Sequence, residues 1–447
     1  MTPAVINLLK GHPNDALLPT APISEALSKL ASSPALPGAL NYGDEFGNAS
    51  FLPALASFMS SSTSSDDSPD NSCSPSSLFV TQGTSHSLEL LCRVLLNPSS
   101  TVMIEVRPDH MSIKPFQQTT VTNSLLLVTS LLTLPALASP PPPPLLHPQN
   151  PSYFLAAEIF KSHGATITTP PMDQTLGGID VDALYSLLTP PSPPSPPPTI
   201  LYLIPTNHNP TGITYSRSRR EKLVKLASQH NIIIIADEVY HLLDWRPSAT
   251  SKPGRMVVTS GADPSLTISL SSFTKIFSPG VRVGWIECNH KPLLSRIKNL
   301  GYIQSQGGVA PFNSELMRTV LSRNLLLPHL SYINATLKAR LDKIFSKLSA
   351  SPNIAIPHPP TGGYFLWLQL TLTLTEEVRR SGLKRRDSNI NPNLITNDLL
   401  LVASLLAPLF TSLISGNCHN PQGFSPAHRP PRLLLLSAGL RIPGNLH

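Results

Sequence analysis

The sequence predicts an α/β fold with a mostly parallel sheet, because short apolar segments alternate with amphipathic helical ones. Residues 232–235 are four consecutive isoleucines, which is typical of a strand buried on both faces of a parallel sheet. The preceding segment, 219–229, mixes charged and apolar residues as an amphipathic helix does. Polar residues follow three of the apolar segments, and open α/β sheets bind ligands at the carboxyl ends of their strands.

Each predicted element depends on a local pattern. A strand at 78–80 leads through a turn of small residues, 81–86, into a helix at 87–95. A second helix is expected to end near Leu188. The remaining predicted strands are apolar runs at 102–105, 200–204, 232–235 and 266–270. If these strands are parallel, their carboxyl ends meet at one edge of the sheet.

Three of those strand ends carry residues that suit one chemical task. Asn209 follows the strand 200–204 in a Pro/Asn/Gly turn, Asp237 follows the four isoleucines, and Lys275 follows the strand 266–270. A lysine can bond covalently to an aldehyde cofactor and later move protons as a general base. Hydroxyls and an arginine near that lysine can hold the phosphate of such a cofactor: Ser272, Thr274 and Arg282.

The other two strand ends fit a pyridine ring. Asp237 can keep a ring nitrogen protonated, while Tyr240 and Asn209 can donate hydrogen bonds to the ring's phenolic oxygen. Each residue also has a plainer interpretation. Asp237 alone suits a helix N-cap, residues 209–212 a simple turn, and Lys275 a solvated surface position. The occurrence of all three in this order favours the catalytic interpretation.

These motifs resemble those of the class I/II aminotransferases, which are pyridoxal phosphate enzymes of fold type I. The matching segments are Asn-Pro-Thr-Gly at 209–212, Ala-Asp-Glu-Val-Tyr at 236–240, Ser-x-x-Lys ending at Lys275, and Pro-Thr-Gly-Gly-Tyr-Phe-Leu-Trp at 360–367. The last of these resembles the opening strand of the family's small domain. The resemblance covers most of residues 4–106 and 150–370. It implies a large domain with a mostly parallel, seven-stranded-type sheet flanked by helices, and a smaller α+β domain.

The resemblance also implies a reaction and further site residues. The reaction is ping-pong transfer of an amino group between an amino acid and a 2-oxo acid, and Tyr42 would reach the cofactor phosphate of a neighbouring subunit in a homodimer. Other cofactor contacts would be Gly83, Thr84, Ser85 and the ring-stacking Tyr153. Substrate contacts would be Gly11, Asn209 and an arginine for the α-carboxylate, either Arg432 or Arg441, with Arg432 preferred because an apolar strand follows it.

The expected domain division has two irregular parts. Residues 1–40 would join a small domain at 306–447, whose C-terminal end is expected to be incomplete, and residues 41–305 would bind the cofactor. Residues 106–149 interrupt the large domain with broken apolar runs and prolines. This segment is interpreted as a disordered insertion or a translated, retained intron, and a genuine surface insertion is the alternative. Amplification of the mature transcript across the segment distinguishes them.

Composition limits the other function classes. At 447 residues and 40% hydrophobic content, the chain can bury a large core. Its net charge of +7 is modest, and the sequence has no basic patch interleaved with aromatic residues of the kind that is typical of nucleic-acid binding. Its apolar runs are shorter than a membrane span. The cysteines are scattered without metal-ligand spacing, which favours a reducing cytoplasm and no metal site. Two alternatives stay open: a lyase on the same fold, and a catalytically impaired homologue acting as a binding protein.

Overall fold

The computed structural model describes residues 13–61, 72–97, 100–105, 153–173, 175–189, 198–247, 254–348 and 354–370. The strands are β1 (Leu78–Thr81), β2 (Thr101–Ile104), β3 (Thr166–Thr168), β4 (Ile200–Leu203), β5 (Ile233–Asp237), β6 (Thr267–Ser272), β7 (Gly284–Glu287), β8 (Ile354–Ala355) and β9 (Gln369–Leu370). The helices are α1 (Thr20–Ala31), α2 (Leu36–Ala39), α3 (Phe51–Ser61), α4 (Thr84–Leu95), α5 (Phe154–Ser162), α6 (Val181–Leu188), α7 (Arg217–His230), α8 (Phe273–Ile276), α9 (Lys291–Lys298), α10 (Gly301–Gln304), α11 (Pro311–Ser322) and α12 (Leu326–Leu348).

The main sheet has seven strands in the order β1-β7-β6-β5-β4-β2-β3. Strand β7 runs antiparallel to both of its neighbours, and the other paired strands are parallel. The predicted α/β class with a mostly parallel sheet is therefore confirmed. Strands β4, β5 and β6 are adjacent, so their carboxyl ends lie side by side at one edge.

Both faces of the sheet are covered by apolar layers. Along β4, Ile200 and Tyr202 face one core cluster while Leu201 and Leu203 face the other. The alternation follows from strand geometry, because successive side chains point to opposite faces. Burial on both faces explains why these strands have almost continuous apolar sequences.

Helix α7 shows how local sequence places β5. Its N-cap Ser216 accepts a hydrogen bond from the backbone N–H of Arg219, and its C-cap Asn231 adopts the left-handed conformation with φ 52°. Asparagine tolerates this conformation better than most residues, so the chain can reverse directly into the isoleucine strand. The predicted helix at 219–229 is confirmed and extends by two residues at its start and one at its end.

The segment 360–367 differs from the expected opening strand of the small domain. Only an isolated bridge joins Gly362 to Asp244 there, and the strand β9 begins later, where it pairs with β8. The segment instead packs against two loops: Gly362 and Gly363 lie beside Asn207 of the β4–α7 loop, and Gly362 also lies beside Leu243 in the loop after β5. A Cβ on Gly362 would lie 1.8 Å from the carbonyl oxygen of Leu243, so the close approach requires glycine.

Helix α1 packs against α11, and α11 also contacts α2 and α3. The proposed domain division stays a prediction, because residues 106–149 and most of the expected small domain lie outside the described residues. Within the described parts of the chain, no helix is long and apolar enough to cross a membrane.

Candidate active site

The carboxyl ends of three adjacent strands carry the predicted chemical groups. Asp237 is the last residue of β5, and Asn209 lies in the loop that follows β4. Lys275 lies in α8, the four-residue helix that begins directly after β6. Ser272 caps this short helix by accepting a hydrogen bond from the backbone N–H of Thr274 at 3.1 Å. Strand order and one local cap therefore place the lysine near the aspartate.

Asp237 is 3% exposed, and its two carboxylate oxygens have different surroundings. Oδ2 accepts a hydrogen bond from the hydroxyl of Tyr202 at 2.9 Å. Oδ1 is buried and has no hydrogen-bond partner among the described residues. Burial raises the pKa of Asp237 to about 6, although the Tyr202 hydroxyl, the Val239 amide and the charge of Lys275 oppose that rise. The site therefore contains one buried acceptor oxygen that a cationic N–H group would satisfy.

Lys275 is largely buried, and burial lowers the pKa of its amine, while the carboxylate of Asp237 acts in the opposite direction. A lowered pKa increases the fraction of neutral amine, which is the form that acts as a nucleophile or base. The hydroxyl of Tyr364 donates a hydrogen bond to the backbone oxygen of Lys275 at 2.9 Å. The segment 360–367 thus contacts the lysine helix directly.

A second group of predicted residues lies at the start of α4. Gly83, with φ 109°, is the N-cap residue of this helix, and Thr84 and Ser85 form its first turn. The guanidinium of Arg282 donates to the backbone oxygen of Gln82 at 2.6 Å. A Cβ on Gly83 would lie 2.9 Å from Arg282 Nη2 and 3.8 Å from Ser272 Oγ, so glycine keeps these groups close together.

This arrangement fits a phosphate. Backbone N–H groups at a helix N-terminus, hydroxyls and a guanidinium are the donors that phosphates bind. Thr274 belongs to the same group, because its Oγ1 lies 2.8 Å from Ser272 Oγ. The unpaired Oδ1 of Asp237 fits a protonated ring nitrogen, so the residues present suit a cofactor that carries both groups.

Three aromatic residues complete the site. The hydroxyl of Tyr240 is hydrogen-bonded to the side chain of Asn209, and Tyr240 is 4% exposed. The side chain of Tyr153 is hydrogen-bonded to Ser85, and burial together with the charge of Asp237 raises the pKa of Tyr153. Phe365 lies edge-on to Tyr240, with ring centroids 5.6 Å apart.

The structure does not place every predicted residue in this group. Tyr42 is 84% exposed and lines a separate cavity of 390 Å³ together with Gly308. A hydrogen bond links that cavity to the residues that fit a phosphate: Gln82 Nε2 donates to the carbonyl of Gly308 at 3.0 Å, and the carbonyl of Gln82 accepts from Arg282. The expected substrate contacts Gly11, Arg432 and Arg441 lie outside the described residues.

Two tyrosines that contact the site are not singled out by the sequence patterns. Tyr202 lies in a predicted apolar strand and is hydrogen-bonded to Asp237, and Tyr364 lies in the segment 360–367 and is hydrogen-bonded to Lys275. A signal for Tyr202 was present: in parallel register it pairs with Ile235, so its side chain shares a face with Asp237 two residues later.

A buried polar cluster next to the site was also missed. Tyr215 donates to Glu105 Oε1 at 2.7 Å, and Glu105 Oε2 lies 3.4 Å from His208 Nε2. Thr211 Oγ1 lies 2.8 Å from His208 Nδ1. Burial raises the pKa of Glu105 to about 7 and lowers that of His208 to about 3. This cluster ties the end of β2 to the loop that carries Asn209.

Comparison with known proteins identifies related chains. Residues 131–404, more than half of the chain, match the family "Aminotransferase class I and II". The chain is 25% identical over 370 residues to aromatic-amino-acid aminotransferase 1 of Thermococcus litoralis, covering 83% of this chain and 74% of that protein. It is also 26% identical to an uncharacterised HTH-type transcriptional regulator, YisV, of Bacillus subtilis, covering 55% of this chain. The chain spans 48% of that regulator's length.

The fold is shared with solved structures. A kynurenine aminotransferase of Pyrococcus horikoshii, solved in complex with PMP, superposes with a TM-score of 0.62 at 22% sequence identity. The superposition covers 84% of this chain and 79% of that one. The chain therefore shares the fold of known aminotransferases of fold type I, as its sequence motifs predict.

Proposed function

This chain belongs to aminotransferase class I and II, and from that premise we propose that it is a pyridoxal phosphate-dependent transaminase. It would move an amino group between an amino acid and a 2-oxo acid. The observation that carries the proposal is the juxtaposition of two groups: Asp237, one of whose buried oxygens has no hydrogen-bond partner among the described residues, and Lys275, whose pKa is lowered by burial and whose charge acts on Asp237. Perturbed pKa values cluster at functional sites, and a buried acceptor oxygen beside an amine favours a ligand-binding role over a purely structural one.

The cofactor would be held at two ends. Gly83, Thr84, Ser85 and the hydroxyl–guanidinium group of Ser272, Thr274 and Arg282 would bind the phosphate. Asp237 would pair with the ring nitrogen, Asn209 and Tyr240 would donate to the phenolic oxygen, and Tyr153 would cover the ring. When bound, pyridoxal phosphate supplies an aldehyde that bonds covalently to amines and a pyridinium ring that accepts electrons from the substrate's Cα.

The chain's own residues would supply proton transfer and charge stabilisation. Lys275, with its lowered pKa, would remove the α-proton of the amino acid. It would then return a proton to a different atom on the same face of the bound cofactor and substrate. Asp237 would stay ionised opposite the positive ring nitrogen, because a paired cation lowers a carboxyl pKa that burial alone raises. Buried aromatic neighbours would exclude water around both groups.

We further propose that the amino donor is aromatic. Tyr364 and Phe365 pack edge-on against Tyr240, with ring centroids 6.4 and 5.6 Å from it, and Tyr364 also contacts the lysine helix. Aromatic rings favour edge-on contacts with other rings at such spacings. The Thermococcus relative named above is an aromatic-amino-acid aminotransferase. The carboxylate of the donor would pair with Arg432, with Arg441 as the alternative, and Gly11 and Asn209 would complete the substrate contacts.

A homodimer is part of the proposal. Tyr42 would reach the phosphate of the neighbouring subunit, which is consistent with its 84% exposure beside exposed Leu40. Tyr302, 49% exposed, packs edge-on against His86 near the same surface. Such exposed apolar residues are typical of a subunit contact. Cys73, Cys92 and Cys288 are free thiols, which supports a reducing, cytoplasmic location.

The test uses the purified chain with pyridoxal phosphate, a panel of amino acids and 2-oxoglutarate. We expect amino transfer to 2-oxoglutarate, fastest with phenylalanine and tyrosine, and complete loss in Lys275→Ala. Lys222→Ala is the matched control, because Lys222 is a surface lysine paired with Asp182. Release of ammonia without an oxo acid would instead indicate a lyase. Absence of covalent cofactor binding in the unmodified chain would indicate a binding protein and overturn the proposal.

A further inference from the structure

Tyr202 is held in one position by strand pairing and packing. It pairs with Ile235 across β4 and β5, so its side chain lies on the face that Asp237 also occupies. The residue is fully buried, and its ring lies edge-on to Phe160 with centroids 5.8 Å apart. A tyrosine fixed in this way has its hydroxyl fixed as well, because only two side-chain torsions are available to it.

The hydrogen bond from the Tyr202 hydroxyl makes the two oxygens of Asp237 inequivalent. It donates to Oδ2 at 2.9 Å, which leaves Oδ1 as the buried oxygen without a hydrogen-bond partner among the described residues. Burial and the charge of Asp237 raise the pKa of the Tyr202 hydroxyl, so it stays a donor. The charged and titratable groups facing Asp237 are Lys275, Tyr153, Tyr202 and Tyr240.

We propose that Tyr202 is a positioning residue, whose hydrogen bond to Oδ2 of Asp237 directs Oδ1 at the pyridine nitrogen of the cofactor. The inference depends on the proposed function and adds a residue to it. The donated hydrogen bond also favours the ionised carboxylate, since a hydrogen bond to the charged form stabilises that form. Without it, the carboxyl would hold its proton more tightly and the ring nitrogen would lose positive charge.

The competing explanation is that Tyr202 only fills the core. A matched control separates the two explanations. Tyr215 is 1% exposed, belongs to the core cluster on the opposite face of the sheet, and donates to the buried Glu105 at 2.7 Å. Tyr202→Phe and Tyr215→Phe therefore each remove one buried hydroxyl that donates a hydrogen bond to a carboxyl. Only in Tyr202→Phe is that carboxyl Asp237.

The experiment loads both variants and the unmodified protein with pyridoxal phosphate labelled with ¹⁵N in the ring. The ¹⁵N chemical shift reports whether the ring nitrogen is protonated. We expect Tyr202→Phe to move the resonance toward neutral pyridine and to lower kcat about tenfold, the effect of roughly one hydrogen bond to a charged group, with KM changed less than twofold. Tyr215→Phe should leave the resonance in place. In an Asp237→Asn background, Tyr202→Phe should have no further effect on kcat.

Two results would overturn the inference: an unchanged resonance in Tyr202→Phe, or equal shifts in the two tyrosine variants. If the Tyr202 variant does not fold, a crystal structure of the unmodified holoenzyme decides. A Tyr202 hydroxyl bonded elsewhere, or a ring nitrogen bound to Oδ2, would refute it. If the unmodified protein transaminates while these results are negative, only this inference fails. If the unmodified protein does not bind the cofactor covalently, the proposed function fails as well.

Discussion

Asp237 and Glu105 are both buried carboxyls at the carboxyl ends of strands in one sheet, and each accepts a hydrogen bond from a buried tyrosine. Asp237 is 3% exposed and receives the hydroxyl of Tyr202, whereas Glu105 is 2% exposed and receives that of Tyr215. Burial raises the pKa of the first to about 6 and of the second to about 7. By burial and acidity alone the two pairs are nearly equivalent.

They differ in what faces the second oxygen. The second oxygens of both carboxyls are buried and have no hydrogen-bond partner among the described residues. The one of Glu105 lies 3.4 Å from His208, whose pKa is lowered to about 3, so this imidazole is neutral at ordinary pH. The carboxyl of Asp237 instead experiences the charge of Lys275. A perturbed pKa therefore identifies a buried carboxyl, but its neighbours decide whether it can serve a ligand.

The largest expected effect is on catalysis. Asp237→Asn should lower kcat at least about 100-fold, because it removes the charge opposite the ring nitrogen. Glu105→Gln should lower kcat less than about tenfold, since its carboxyl does not face Lys275. Steady-state rates with an aromatic donor and 2-oxoglutarate measure both. Equal losses in the two variants would remove the functional distinction between the pairs.

On stability the same two variants should behave alike. A neutral buried carboxyl stabilises the folded state fully below its unfolded pKa, and this contribution is lost as pH rises through the folded pKa. The unfolded and folded pKa values are 3.8 and about 6 for Asp237, and 4.5 and about 7 for Glu105. At pH 8, Asp237→Asn and Glu105→Gln should therefore each stabilise the cofactor-free protein by about 1–3 kcal/mol, with the gain absent near pH 4. Denaturant unfolding at both pH values measures this, and a gain that persists at pH 4 would contradict the assigned cause.

The two tyrosines should rank differently in stability and in cofactor chemistry. Tyr215 donates to Glu105 and accepts the backbone N–H of Ile179 at 2.9 Å, whereas within the described parts of the chain the Tyr202 hydroxyl makes one hydrogen bond, to Asp237. Tyr215→Phe should therefore cost about 1–3 kcal/mol of unfolding free energy, and Tyr202→Phe less, when measured without cofactor. The ring ¹⁵N resonance should show the opposite order, because Tyr202→Phe should move it more than Tyr215→Phe does. A larger stability loss in Tyr202→Phe would favour a packing role for that residue.

The smallest expected effect comes from the edge of the Glu105 cluster. Thr211→Val removes the hydroxyl that lies 2.8 Å from His208 Nδ1. Because the imidazole is neutral, the loss should be about 1 kcal/mol or less by urea unfolding, with kcat close to that of the unmodified protein. A loss of kcat comparable to that of Asp237→Asn would mean that the cluster controls the loop bearing Asn209.

Much of the fold was predictable because its signals are local. The isoleucine run predicts β5, and apolar and amphipathic segments predict β1, β2, β4, β6 and the helices α4, α6 and α7, but not β3 or the antiparallel β7. The segment 360–367 does not form the expected strand because its contacts are tertiary: Gly363 donates its backbone N–H to the carbonyl oxygen of Leu243 at 2.8 Å, and this partner is distant in sequence. Residues 106–149 and the expected substrate arginines stay predictions, since they lie outside the described residues.

The sequence by itself determined that an asparagine, an aspartate and a lysine lie at or just after the ends of three strands, and parallel pairing brings such ends to one edge of a sheet. Tertiary structure alone decided that these strands are neighbours and which groups surround the aspartate. Its Tyr202 partner is 35 residues away, and the Tyr215 partner of Glu105 is 110 residues away. Hydrogen bonds between such distant side chains depend on strand register and packing, which no local pattern encodes.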